Sequence, residues 1–191
     1  MKKENYIFNQ NLSLHCKETM PGKELVIAQA DIVKRVKEIG AAITRDYEKN
    51  QLVVVGILNG AFIFMADLVR EIKRELEIDF VRMASYGMET TSGSLRITKD
   101  IELDIQDKDI LVVEDIIDTG LTMAHLRHSF AGRGARSVRF CALINKTERR
   151  EVEVAIDYVG FEVKRGFLVG YGLDCREKYR QLTEVYHLLD D

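Results

Sequence analysis

The sequence has few of the residues that form cross-links and linkers. It contains three cysteines in 191 residues, Cys16, Cys141 and Cys175, and no C-x-x-C pair. Cysteines that are odd in number and far apart argue against a zinc site or a redox pair and favour reduced thiols in a cytosol. Pro21 is the only proline, and no repeat or Pro/Ser-rich linker divides the chain. We therefore expect a single domain that spans residues 1–191.

The chain also lacks a strong charge of either sign. With 28 basic and 31 acidic residues the net charge is −3, so no overall field would recruit nucleic acid or an anionic membrane. Two lysines at the start, in MKKENYIFNQ, are not followed by the apolar stretch of a secretory signal. We expect a cytoplasmic protein that binds neither nucleic acid nor a membrane.

No hydrophobic run is long enough to suggest a transmembrane helix. The most apolar region, residues 52–69, is interrupted by Gly56, Asn59, Gly60 and Asp67. A span of about 20 residues would carry these polar groups through the bilayer. A strand, a loop and a helix explain the same pattern better.

What the sequence does contain is an alternation of buried strands and amphipathic helices. Strands are predicted at 51–58, 78–85, 109–113 and 137–144, with shorter ones at 154–163 and 167–171; helices are predicted at 23–48, 61–75 and 122–131. This order indicates an α/β fold with a mostly parallel twisted sheet flanked by helices. Residues 86–94 are rich in Gly, Ser and Thr and are predicted to form a loop.

Residues 110–122, ILVVEDIIDTGLT, place three acids and a Thr-Gly turn after a buried strand. The turn Thr119-Gly120-Leu121-Thr122 opens a helix, where free backbone N–H groups and the helix dipole favour a phosphate. Glu114 and Asp115 are suited to accept hydrogen bonds from two sugar hydroxyls, directly or through a divalent metal. Asp118 is placed to accept a proton. Together these groups describe a site for a ribose 5-phosphate.

A second interpretation of this segment needs no ligand. The acids are then solvated loop residues and Thr119-Gly120 is a helix N-cap, because Thr and Gly are common in caps. The turn alone is equally compatible with both interpretations. The complete string from Ile110 to Thr122 favours the ligand site.

The segment VVEDIIDTGLT resembles the phosphoribosyl diphosphate (PRPP) binding motif of the type I phosphoribosyltransferases. Within that family the chain is similar to the hypoxanthine (hypoxanthine-guanine) enzymes. Four further blocks carry the resemblance, in order: GILNGAFIFMADL at 56–68, SYG at 85–87, LINKTERR at 143–150 and YVGFEVKRGFLVGYGLDCREKYR at 158–180. The resemblance implies the type I fold, with a small hood formed by the N- and C-terminal segments.

The resemblance implies a purine-salvage transferase that moves the phosphoribosyl group of PRPP to N9 of hypoxanthine or guanine. The products would be IMP or GMP and pyrophosphate, with Mg²⁺ as the cofactor. A homodimer or homotetramer is usual among such enzymes and is expected here on that basis alone.

The resemblance implies the following roles for residues of this sequence. Asp118 is the proton acceptor near N7, Glu114 and Asp115 bind the ribose hydroxyls, and Thr119, Gly120, Leu121 and Thr122 cradle the 5-phosphate. Lys146 donates to O6, Phe167 stacks on the purine and Leu168 presents its backbone to position 2. Asp174, beside the purine, completes the magnesium shell together with Glu114 and Asp115. The remaining implied residues bind pyrophosphate or begin a loop that closes over the site: Asn59, Gly60 and Arg180 for pyrophosphate, Ser85 and Tyr86 for the loop.

Three positions depart from the family pattern. Asn59 stands where lysine is frequent in the pyrophosphate loop, Gly166 stands where lysine is usual, and Leu168 replaces a commoner valine. None of these changes removes a catalytic group. The histidines, His15, His125, His128 and His187, match no catalytic block and are interpreted as structural or solvent-facing.

Two other functions are compatible with the same fold. A regulatory protein would bind RNA or DNA and sense PRPP, but an attenuation regulator would typically carry Tyr at position 118, and a repressor would carry an additional DNA-binding domain. An enzyme for another base is the second alternative. Lys146 disfavours adenine, because an ammonium faces the 6-amino group unfavourably, whereas xanthine stays open.

Overall fold

A six-stranded sheet forms the centre of the computed structural model, which describes residues 22–47, 51–85 and 95–189. Its strand order is β4-β3-β2-β5-β6-β7, and every neighbouring pair is parallel except β3 and β4. The strands of this sheet are β2 (Leu52–Leu58), β3 (Glu77–Ser85), β4 (Leu95–Lys99), β5 (Asp109–Ile117), β6 (Ser137–Lys146) and β7 (Tyr158–Val163). The predicted α/β fold with a mostly parallel sheet is confirmed.

Helices cover both faces of this sheet. They are α1 (Gln29–Asp46), α2 (Phe62–Glu71) and α3 (Leu121–Gly132). Along β5, Leu111 and Val113 belong to the core that contains α1 and α2, while Ile110 and Val112 belong to the core that contains α3. All four side chains are fully buried. This packing on both faces explains why the central strands are continuous apolar runs.

A second, three-stranded sheet forms the expected hood from the two ends of the chain. It consists of β1 (Lys23–Ile27), β8 (Leu168–Val169) and β9 (Val185–Leu188) in the antiparallel order β1-β9-β8. The predicted helix at 23–48 is wrong in its first turn, because residues 23–27 pair with β9 instead of continuing α1. Strands β4 and β9 were not predicted.

The central strands extend further than predicted. Glu114 and Asp115 lie within β5, and Asn145 and Lys146 lie within β6, so the expectation that they follow their strands is wrong. The extra residues are kept in the strands by β5–β6 pairing, which continues through Ile117 and Asn145. The strand geometry therefore fixes the backbone of these polar residues directly.

Several expectations concern residues outside the described part of the chain. They include the N-terminal segment up to Met20 with His15 and Cys16, and the predicted loop at 86–94 with Tyr86. Cys141 is a buried free thiol, whereas Cys175 is disulfide-bonded, so the expectation of reduced thiols is wrong for Cys175. Among the described helices, none is long and apolar enough to cross a membrane.

Asp79 anchors the segment before β5 to β3. Its carboxylate accepts hydrogen bonds from the backbone N–H groups of Phe80, Glu102 and Leu103 at 2.7, 2.6 and 3.0 Å. Burial by itself would raise the pKa of this carboxyl, but the three N–H donors and the charge of Lys99 outweigh burial and lower the pKa. The stability that Asp79 contributes is therefore present above its ordinary pKa of 3.8 and is lost as pH falls below it.

We expect Asp79→Asn to lower the free energy of unfolding by about 2 kcal/mol at neutral pH, because an amide cannot satisfy all three donors. The loss should shrink at pH values below the ordinary pKa of the carboxyl. Urea unfolding at several pH values measures both effects. Asp107→Asn is the matched control: this residue is exposed, and its positive φ of 58° suits Asn. An Asp79→Asn protein as stable as the control at neutral pH would contradict the account.

Candidate active site

The candidate site lies where β2, β5 and β6 approach their carboxyl ends. These strands are neighbours and parallel, so Asn59 after β2, Asp115 in β5 and Lys146 at the end of β6 lie along one edge of the sheet. In open α/β sheets this edge is where ligands bind. The structure thus brings together the motifs that the sequence separates by many residues.

Glu114 and Asp115 form an acidic pair with little access to water. Asp115 is buried, and Ile116 N–H donates to its Oδ1 at 2.9 Å. Burial, followed by the negative charge of Asp115, raises the pKa of Glu114 well above its ordinary value. Burial also raises the pKa of Asp115, although hydrogen bonds and the charge of Arg180 oppose the rise. Hydroxyl donors or a cation would favour the ionised form of this pair.

Gly60 lies directly against the Asp115 carboxylate. A methyl group at position 60 would overlap the carboxylate oxygens, so only glycine permits this approach. The peptide bond between Leu58 and Asn59 is cis, and the Asn59 side-chain oxygen accepts a hydrogen bond from the Arg82 guanidinium. The loop after β2 therefore combines a small residue with an arginine from the neighbouring strand.

The turn between β5 and α3 has the geometry of an anion-binding helix start. Helix α3 begins at Leu121, and Gly120 precedes it with a φ of 85° that favours glycine. The N-cap residue has no side chain to cap the helix, and the Leu121 N–H donates a long hydrogen bond of 3.4 Å to the Thr119 hydroxyl. The first N–H groups of α3 and the two threonine hydroxyls can therefore serve a ligand.

The segment that follows β6 in the chain stabilises the turn between β5 and α3 through hydrogen bonds. Arg150 donates through Nε to the Asp118 carbonyl at 2.9 Å and also bonds the Asn145 side chain. The Thr119 carbonyl accepts from the N–H groups of Glu151 and Val152, each at 3.0 Å. The backbone carbonyls of Asp118 and Thr119 accept these hydrogen bonds, which stabilise the shape of the turn.

Asp118 has one carboxylate oxygen in an ion pair and one without a partner. Oδ2 accepts from Arg149, at 2.8 Å for Nε, and lies 3.8 Å from Lys146 Nζ. Oδ1 is buried and has no hydrogen-bond partner among the described residues. A buried acceptor without a donor is costly, so a ligand that brings a proton to Oδ1 would relieve this cost.

Lys146 is a buried cation between two carboxylates. Its side chain is 9% exposed, and Nζ lies 3.0 Å from Glu148 Oε2 in addition to its contact with Asp118. A lysine ammonium presents three donors, and of these two carboxylates only that of Glu148 lies at hydrogen-bond distance, so a donor remains for a carbonyl on a ligand. A lone lysine at the end of a strand is usually solvated. Lys146 is instead buried and paired with acidic side chains.

The hood supplies an aromatic side chain and backbone groups. Phe167 is half-buried and packs against a small cluster of Val169, Cys175 and Leu188, which leaves part of its ring accessible. Leu168 is buried in β8 and pairs with His187 of β9. His187 lies in β9 and is half-buried, a position that suits a structural role.

Arg180 and Asp174 form a half-buried ion pair next to the loop after β2. Arg180 Nη2 lies 2.7 Å from Asp174 Oδ1, and its Nη1 donates to the Gly172 carbonyl at 2.8 Å. Gly172 in turn packs against the carbonyl of Gly60. These contacts place a cation close to the acidic pair, which agrees with the effect of Arg180 on the pKa of Asp115.

The arrangement can therefore hold an anion at the start of α3, a pair of hydroxyls at the acids of β5 and an oxygen-bearing ring near Lys146 and Asp118. Ser85 ends β3, on the same edge of the sheet. Sequence reasoning missed four charged residues that shape this site, namely Arg82, Glu148, Arg149 and Arg150. The charge-rich string TERR after β6 was the available signal for three of them.

Comparison with known proteins gives a consistent result. The family model for the phosphoribosyl transferase domain matches residues 25–176. A hypoxanthine-guanine phosphoribosyltransferase of Bacillus subtilis (strain 168) is 43% identical over 85% of this chain and 91% of its own. A hypoxanthine phosphoribosyltransferase of Haemophilus influenzae is 46% identical over 85% of this chain and 93% of its own.

A solved structure has the same fold. The crystal structure of a hypoxanthine phosphoribosyltransferase from Staphylococcus aureus superimposes with a TM-score of 0.83 at 40% identity. The match covers 87% of this chain and 91% of that one.

Gly60→Ala should perturb the site because the added methyl group meets the buried Asp115 carboxylate. We expect a loss of about 1–3 kcal/mol in the free energy of unfolding, the usual range for overpacking. Gly132→Ala is the matched control, since no heavy atom lies within 4 Å of a Cβ built there. Thermal unfolding compares the two variants, and equal melting temperatures would show that the Gly60–Asp115 contact is not tight.

Proposed function

Because the chain belongs to the phosphoribosyltransferase family, we propose that it acts in purine salvage as a hypoxanthine phosphoribosyltransferase. It transfers the 5-phosphoribosyl group of PRPP to N9 of hypoxanthine, and of guanine, and releases pyrophosphate with IMP or GMP. The Oδ1 of Asp118, which is buried without a partner in the described part of the chain, supports this function most directly. It lies between a helix start suited to a phosphate and a lysine suited to a 6-oxo group.

The sugar phosphate of PRPP binds along β5 and the start of α3. The backbone N–H groups and hydroxyls of residues 119–122 hold the 5-phosphate, where the helix dipole favours negative charge. Glu114 and Asp115 accept hydrogen bonds from the ribose 2- and 3-hydroxyls. Those bonds add donors to an acidic pair whose pKa values burial raises.

The purine binds between the end of β6 and the hood. Lys146 donates to O6, Phe167 stacks on the ring and the Leu168 backbone reads position 2. Asp118 accepts the proton from N7, and Arg149 holds its other oxygen in place. A base with an amino group at position 6 would place donors opposite the Lys146 ammonium, which disfavours adenine.

The pyrophosphate lies against the loop after β2 and the cation of the C-terminal segment. Because Gly60 has no side chain, the pyrophosphate can approach its backbone closely, and Arg180 supplies a positive charge beside the acidic pair. Asn59 contributes no charge, but Arg82 contacts its side chain and brings a guanidinium to the same loop. This contact offsets the absence of the lysine that is frequent at position 59.

Magnesium is the proposed cofactor. The described residues contain no group of three or more His, Cys, Asp or Glu side chains arranged as a metal site. A site with fewer protein ligands is compatible with Mg²⁺, because this ion often takes only one or two carboxylates and completes its shell with phosphates and water. One or two of the carboxylates of Asp174, Glu114 and Asp115 would hold the ion, which would supply positive charge to the leaving pyrophosphate.

The reaction makes one bond and breaks another at C1 of the ribose. N9 of the purine attacks C1, and the bond from C1 to the pyrophosphate oxygen breaks with its electron pair on pyrophosphate. The proton at N7 passes to Asp118, which makes the neutral purine a better nucleophile. Nearby carboxylates stabilise the positive charge that develops on the sugar.

The loop that begins at Ser85 and Tyr86 would close over these groups and exclude water. A cytosolic location and a homodimer or homotetramer are further proposals that rest on the family resemblance. The acid at position 118 argues against a purely regulatory role, since an attenuation regulator would typically have Tyr there.

Asp118→Asn should lower kcat by a factor of about 10² with the fold unchanged, because the amide cannot accept the N7 proton. Asp104→Asn is the matched control, since among the described residues the exposed Asp104 side chain accepts a hydrogen bond only from the Gln106 N–H, and Asn retains that acceptor. Steady-state kinetics and circular dichroism measure the two variants. Full activity in Asp118→Asn would refute its role as base.

A spectrophotometric assay with PRPP and each of hypoxanthine, guanine, xanthine and adenine tests the substrate class. We expect turnover of hypoxanthine that requires Mg²⁺ and stops with a chelator, and no turnover of adenine. In Lys146→Ala, kcat/KM for hypoxanthine should fall at least about tenfold, the effect of losing one charged hydrogen bond. Unchanged kcat/KM in this variant would count against the assignment of Lys146 to O6.

A further inference from the structure

Glu148 is a charged residue of the site to which neither the family pattern nor the proposed mechanism gives a role. It lies two residues after Lys146, in the segment that leaves β6. Its side chain is half-exposed, and Oε2 is 3.0 Å from Lys146 Nζ and 3.3 Å from the backbone N of Gly166. A single oxygen thus contacts the proposed O6 donor and the residue before Phe167.

The position of the Lys146 ammonium depends on two carboxylates that attract it in different directions. Glu148 Oε2 is at 3.0 Å and Asp118 Oδ2 is at 3.8 Å. Without Glu148, Asp118 would be the remaining anion and would draw the ammonium toward itself. Asp118 would then be engaged by a second cation in addition to Arg149, and the ammonium would leave the place where it meets O6.

The contact with Gly166 connects this ion pair to the hood. Gly166 N–H donates to Glu148, and the next residue, Phe167, packs against the small cluster of the hood. A side chain at position 166 would overlap the imidazole of His187, so β9 fills the space beside this turn. The contacts of Glu148 therefore fix the spacing between the lysine and the aromatic ring.

The electrostatics agree with this geometry. Hydrogen bonds from Lys146 and from Gly166 N–H lower the pKa of Glu148, so its carboxylate is ionised at neutral pH. An ion pair with a half-exposed glutamate is ordinarily worth little. Here the partner is a buried lysine, and a buried charge that loses a partner is strongly disfavoured.

We infer that Glu148 is a positioning residue for the purine: it holds Lys146 apart from Asp118 and fastens the turn that carries Phe167. This inference rests on the proposed function and concerns the same site. It predicts that Glu148 affects recognition of the purine and leaves recognition of PRPP unchanged, because its contacts lie on the purine side alone.

A double-mutant cycle of Glu148→Gln and Lys146→Ala tests the inference in the full-length protein. Glutamine keeps an oxygen for Gly166 N–H and removes only the charge. We expect Glu148→Gln to raise KM for hypoxanthine about fivefold, less than the loss of Lys146 itself because Glu148 acts through that lysine, with KM for PRPP changed by less than about twofold. In the Lys146→Ala background the same change should have almost no effect, because Glu148 acts through Lys146.

Two further variants complete the design. Glu148→Ala removes the acceptor for Gly166 N–H as well and should raise KM for hypoxanthine more than Glu148→Gln does. Glu153→Gln is the matched control, since Glu153 is exposed in the same segment and its side chain makes no hydrogen bond or ion pair with the described residues. Calorimetric titration with IMP gives the same comparison for any variant that turns over too slowly.

The outcomes separate the inference from the proposed function. If the unmodified protein neither binds IMP nor uses hypoxanthine, the proposed function fails and the inference falls with it. If Lys146→Ala impairs hypoxanthine use but Glu148→Gln does not, only the inference is overturned. Equal effects of Glu148→Gln in both backgrounds, or an equal rise in KM for PRPP, would also overturn it.

Discussion

The parallel pairing of β2, β5 and β6 is the constraint on which the rest of the site depends. Each strand is buried on both faces, so apolar side chains fill its middle and polar groups are confined to its carboxyl end. Because neighbouring parallel strands end at the same edge, the acids of β5, the loop after β2 and Lys146 of β6 meet there. The helix that follows β5 adds its N–H groups at the same place.

Charge at this edge is divided between a side that is rich in acid and a side that is rich in cations. Burial raises the pKa values of Glu114 and Asp115, and the negative charge of Asp115 raises that of Glu114 further. On the other side Lys146 and Arg149 are matched by Asp118 and Glu148. A ligand that carries hydroxyl donors at one end and a carbonyl at the other satisfies both sides, which is the pattern of a nucleoside monophosphate.

The sequence was sufficient for the elements whose signal is local. The apolar runs of β2, β5 and β6 and the turn before α3 could be located because their neighbours in the chain determine them. Strand β1 could not, since its apolar residues continue the pattern of α1 and its partner β9 lies at the other end of the chain. Strand ends were also placed too early, because pairing with neighbours holds polar residues in extended backbone.

Within the site, the resemblance supplied the residues that would touch ligands but not those that support them. Arg150 and Glu148 follow a strand in a charged segment, where the usual interpretation is a solvated loop. Their roles come from contacts with the turn before α3 and with the hood, which are distant in sequence. Side chains that act through other side chains leave no spacing pattern, so the folded structure was needed to find them.

The most direct measurement is a crystal structure of the protein with bound IMP. The account predicts that the 5-phosphate lies on the N–H groups of residues 119–122, with the ribose hydroxyls on Glu114 and Asp115 and O6 next to Lys146. A nucleotide bound anywhere else, with the turn before α3 unliganded, would contradict it.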